Sequence, residues 1–156
     1  MTTTRIPDII PDETAHRLAF TEVSFLLDIF ASTIEELMGG ATASVGRIAG
    51  RELARKLPID VPATDRKEII RQVAAHFNNG YDIRTGKTED GNHEMIQFGD
   101  CAIREVCRSR QMPLGGELCH LFHYYFDGVI NELVKCPVKS EVTPADSICH
   151  CHMQFK

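Results

Sequence analysis

The first hundred residues contain no cysteine, and all six cysteines lie between Cys101 and Cys151. The chain also has no tryptophan and carries no excess of positive charge; its formal net charge is −5. Nucleic-acid binding is therefore not expected, because phosphate contacts need clustered Lys and Arg. The two short basic groups, Arg51/Arg55/Lys56 and Arg104/Arg108/Arg110, have helical spacing. They read as solvated helix faces, with an anion or partner patch as the alternative. No apolar run approaches the roughly 20 residues of a membrane helix, so no membrane association is expected. The N-terminal MTTTRIPDIIPDET lacks the apolar core of a signal peptide, which points to the cytoplasm, where thiols stay reduced. Six cysteines in that compartment read as metal, cluster or redox residues, not as a disulfide framework.

What is present is an ordinary globular composition, 43% hydrophobic and 25% charged, over 156 residues. That is long enough for one core, and no linker or repeat divides it, so a single domain over 1–156 is expected. Residues 1–11 read as an extended arm. Asp12 is an N-cap, and Phe20, Val23, Leu27, Phe30, Ile34 and Leu37 recur at three- and four-residue steps. They form one face of a long amphipathic helix over 13–38, ended by Gly39-Gly40. A second helix spans 41–57, with Gly46 and Gly50 on one face for close helix packing or a ligand or dimer contact. Thr64 and Asp65 cap a third over 65–78, with Ile69, Ile70, Val73 and Phe77 inward.

Strands are expected at 81–86 and 92–99, joined by a turn with Gly86, Asp90 and Gly91. A short helix over 102–110 and a longer one over 117–134 follow. Strands at 138–142 and 148–155 close the chain around a turn at 143–147. The fold class is α+β, with N-terminal helices packed on an antiparallel sheet.

Cys101, Cys119, Cys136 and Cys151 recur at intervals of 18, 17 and 15 residues and sit at element boundaries or on the last strand. Thiolates suit soft metals and iron–sulfur clusters. Cys119, in the first turn of a helix after Gly115-Gly116, gains from the helix dipole. The spacings are neither paired zinc knuckles nor a ferredoxin run, and small buried hydrophobic cysteines are the bland alternative. Cys107 reads as packing. In a strand, Cys149 and Cys151 share one face and His150 and His152 the other, facing solvent or a partner. His120 and His123 share a helix face. They are either surface and packing residues, or a further ligand or proton donor.

The run Cys101-Ala102-Ile103, Cys119, Cys136-Pro137-Val138 and Cys151 resembles the C-terminal half of the iron–sulfur-sensing repressors of the suf assembly operon. The chain lacks room for their winged-helix domain before residue 40. The helix GRIAGRELARKL at 46–57, the helix at 117–134 with Cys119 and Gly128, Glu141, and the terminal CHMQF resemble the 4-vinyl reductase, or hydrocarbon-binding, domain. These resemblances imply a 4Fe-4S cluster on Cys101, Cys119, Cys136 and Cys151, with Cys149 in reserve. The role would be redox or cluster sensing, electron transfer, or small-molecule binding at the cluster. The second family also implies an alternative, a zinc-stabilised binding module on Cys119, Glu141 and Cys149 or Cys151. Its next cysteine is replaced here by Pro144. A third alternative is an enzyme with an open iron site as Lewis acid, His120 or His123 supplying a proton. A small apolar ligand and a homodimer are the expected partners, with the helices of 13–57 either at the dimer interface or covering an apolar pocket.

Overall fold

The computed structural model describes residues 12–89, 91, 93–145 and 147–156. The arm expected at 1–11, the turn residue Asp90 and residue 146 of the last turn lie outside them.

Capping and periodicity set the helices. Asp12 accepts a hydrogen bond from the Ala15 N–H at 2.8 Å and starts α1, Glu13–Met38. Gly39 and Gly40, at φ +49° and +68°, take the left-handed turn that leads into α2, Ala41–Ala54. Asp65 accepts from the Glu68 N–H at 3.2 Å and starts α3, Arg66–Phe77. Next come strands β1, Ile83–Lys87, and β2, Glu94–Phe98. Helices α4, Ala102–Ser109, and α5, Glu117–Val134, follow. Strands β3, Val138–Thr143, and β4, Cys149–Phe155, end the chain.

The four strands form one antiparallel sheet in the order β1-β2-β4-β3. The fold is α+β. Ile96, Phe98, Cys149, Cys151 and Met153 are buried on the inner face of the sheet. The alternate residues His150 and His152, opposite Gln97 and Met95, are only partly covered on the outer face. Helices α3 and α5 pack against the sheet, and α1 and α2 reach it only through α5.

The α2–α5 seam depends on missing side chains. A Cβ on Gly50 would run into the Tyr125 carbonyl, and one on Gly128 into the Arg47 carbonyl. One on Gly46 would stand 2.8 Å from the Tyr124 Cβ. The glycine stripe noted in the sequence thus lets two backbones approach.

Helix α1 is turned the other way from what its pattern suggests. The residues it buries are Ser24 and Ala31, and Thr42 Oγ1 donates to the Ala31 carbonyl at 3.2 Å. Its apolar face, with Val23, Leu27, Phe30 and Leu37, remains exposed. The body side is held by small and polar contacts: Arg110 pairs with Glu22 and lies 5.1 Å over the Phe25 ring.

Candidate functional site

Three elements bring cysteines to one pocket. Cys101 is the N-cap of α4, in extended conformation at φ −125°. Cys119 lies in the first turn of α5. Cys149 opens β4 on the inner face of the sheet. All three line a small cavity, about 40 Å³, walled by Phe98, Ile103, Leu114, Phe122 and Val142. That is room for a few waters. His120 and His123 border it from α5. As placed, no three His, Cys, Asp or Glu side chains among the described residues are grouped to hold one metal ion.

The other proposed ligands lie elsewhere. Cys136 follows the far end of α5. At 1.5 Å rise per residue, 17 residues separate it from Cys119 by roughly 25 Å. Its thiol donates to the Lys156 carbonyl at 3.3 Å, outside the pocket. Cys151 shares the inner face with Cys149 but is two residues further along β4, opposite Ile96 and Val142. Burial pushes its thiol up to about 12. Glu141 lies on the outer face opposite His152 and within 3.6 Å of Lys139. The four spaced cysteines therefore do not converge, nor does Glu141 approach Cys119. Their spacing in sequence reflects element lengths, not a shared centre.

Cys107, read as packing, is buried with Ile103, Val106 and Leu118. It is also close enough to Cys119 for the two thiols to interact. Burial, then that neighbour, pushes its pKa up to about 12. The Cys101 thiol is raised as well, by burial first, with Arg104 opposing. With pKa values raised above the ordinary thiol value, Cys101 and Cys107 are protonated at neutral pH.

Two side chains in the pocket lack what they need. Arg104 is 5% exposed. It donates to the Gly99 and Phe98 carbonyls, each at 3.0 Å, and to Cys149 Sγ at 3.4 Å, while its Nε has no partner. No carboxylate pairs with it among the described residues. The expectation of a solvated Arg104/Arg108/Arg110 face fails at this first position, because α4 turns residues 103, 104, 106 and 107 inward. Nδ1 of His123 is likewise buried without a hydrogen bond. Burial, then His120, lowers its pKa to about 4, so the imidazole is neutral. A neutral imidazole with a bare nitrogen is a donor awaiting a ligand or a proton.

The sequence reading also missed Asp127. It is 2% exposed in α5, accepts from Ser140 Oγ on β3, and lies 3.7 Å from Arg47 Nη2 on α2. Burial raises its carboxyl above the usual range, against the pull of Ser140 and Arg47. It ties three layers together. The available signal was an acid at an inward helical position, between Phe126 and Gly128.

No protein-family model and no curated protein matches the chain. Among solved structures it is similar to a trafficking protein particle complex subunit 3 from Naegleria fowleri, solved covalently bound to palmitic acid. The likeness covers 93% of this chain and 97% of that one, with a TM-score of 0.54 and 10% identity. At that identity the two share a fold.

Proposed function

We propose that the chain is a 4-vinyl-reductase-like protein that carries an iron–sulfur cluster at Cys101, Cys119 and Cys149. His123 is the fourth protein donor. The observation that carries this reading is the buried, carboxylate-free Arg104 against Cys149 Sγ. A buried cation is costly unless an anion offsets it. A neutral thiol supplies no charge, whereas cluster-bound thiolates form a compact negative centre that Arg104 can hydrogen-bond. Histidine replaces cysteine on iron in some clusters, so the bare His123 nitrogen fits the fourth position. Binding requires the thiols to lose their protons and close on a common centre.

One feature favours this version over the zinc module. The zinc-module alternative needs Glu141, which lies on the outer face of the sheet. The cluster would serve redox sensing or electron transfer.

Anaerobic purification with iron, sulfide and zinc analysis and visible absorbance tests the reading. The expected protein is brown, with iron and labile sulfide in equal amounts. Cys101→Ser, Cys119→Ser and Cys149→Ser each lose the colour, and Cys136→Ser keeps it. A colourless protein, zinc without sulfide, or loss of colour in Cys136→Ser with retention in Cys149→Ser would overturn it.

A further inference from the structure

Helix α1 holds the largest unexplained surface of the molecule. Leu18, Phe20, Val23, Leu26, Leu27, Ile29, Phe30, Leu37 and Met38 are between 44% and 80% exposed, and Val45 and Ile48 of α2 add to them. Charge is nearly absent here. Between Leu18 and Ile34 the helix carries only Glu22 and Asp28. Glu22 is paired with Arg110, and Asp28 is half-buried on the side toward Cys107. A helix that packs small and polar residues on its own domain and shows its apolar residues outward is built to be covered from outside.

We infer that this face is the interface of a homodimer, with a second copy of this chain packing its own α1 against it. Three properties select that occupant. The exposed apolar side chains amount to on the order of 1,000 Å², above the roughly 800 Å² per partner of a stable protein–protein interface and beyond the largest patch usual on a monomer. A partner must bring an apolar surface of similar size, and a twofold axis across α1 supplies an identical one. The apolar residues Phe20, Val23, Leu27, Phe30, Ile34 and Leu37 recur at three- and four-residue steps, the spacing by which two helices interdigitate. A lipid surface fits poorly. Membrane-surface helices flank their apolar face with Lys and Arg, whereas α1 has one Arg, Arg17, against five acids. The dimer does not depend on the cluster reading, because none of these residues lines the cysteine pocket.

The test is sedimentation equilibrium of the full chain from about 1 to 100 µM, alongside Leu27→Glu and Phe30→Glu. The wild type is expected at twice the chain mass, and each variant at least tenfold weaker in self-association. Far-UV circular dichroism and a thermal melt of the variants at low concentration must match a folded domain. Leu118→Glu, inside the core, serves as the unfolded control. A wild type that stays monomeric at 100 µM, or a dimer that survives both substitutions, overturns the proposal. So does a monomer that floats with phosphatidylcholine or phosphatidylserine vesicles, which would assign the face to lipid.

Discussion

Helices α1 and α5 are the two longest in the molecule, and they use their residues in opposite ways. Helix α5 is packed nearly all round, by the other four helices and the sheet, and buries even Asp127 among Phe126, Gly128, Val129 and Ile130. Helix α1 has eight more residues and buries only Ser24 and Ala31. Both are rich in apolar side chains. What distinguishes them is the partner: α5 meets glycines and a sheet face from its own chain, and α1 rests on a narrow polar seam. Apolar periodicity therefore reports that a face will be covered, without reporting by what.

The contrast breaks most sharply at the α2–α5 seam. Gly50→Ala places a methyl group against the Tyr125 carbonyl, and should cost about 3 kcal/mol or more in urea denaturation, because backbone must shift. A cost below about 1 kcal/mol would mean that the seam is loose. Next comes the polar knot inside α5. Asp127→Ala leaves Arg47 and Ser140 without their buried acceptor, and should cost about 2–3 kcal/mol in the same measurement.

Acid should separate the two helices further, through His123. Its folded pKa is lowered to about 4 from the ordinary 6.5. Below pH 6.5 the unfolded chain takes up a proton that the folded chain refuses. The stability His123 allows is therefore full above about pH 6.5 and is lost as pH falls toward 4. The loss is on the order of 3 kcal/mol. Asp127, with its raised pKa, works in the other direction and gains on acidification. Denaturation of the metal-free protein at pH 7, 5.5 and 4.5 should therefore be compared with His123→Gln. The variant should show a flatter acid limb. Identical limbs would show that the imidazole protonates freely in the fold.

The smallest effect belongs to α1. At concentrations where the chain is monomeric, Phe30→Ala should change stability by no more than about 0.5 kcal/mol, because the residue is 58% exposed. A loss above about 1 kcal/mol would show that α1 is covered by its own domain.

Much of this was legible in the chain. Helix and strand limits followed from Asp12, Asp65, the glycine pairs and the apolar steps, which act locally. The alternation of Cys149 to His152 gave the two sheet faces correctly, because strand parity is also local. Convergence was not local. Cys119 and Cys136 stand at opposite ends of the same helix, and the 1.5 Å rise already set them apart. Even spacing in sequence does not make a shared centre. Arg104 was illegible for another reason. Its spacing with Arg108 and Arg110 suggests one solvated stripe. Only Ile103, Val106 and Cys107 beside it show that α4 turns that position inward.

The alternation in β4 has one more consequence. A strand sorts its residues by parity, so the thiols and imidazoles of Cys149-His150-Cys151-His152 are kept apart by the register of β4 with β2 and β3. A slip of a single residue against β2 would exchange them, sending histidines inward and exposing both cysteines. The register of β4 against β2 and β3 therefore decides which chemistry the pocket receives.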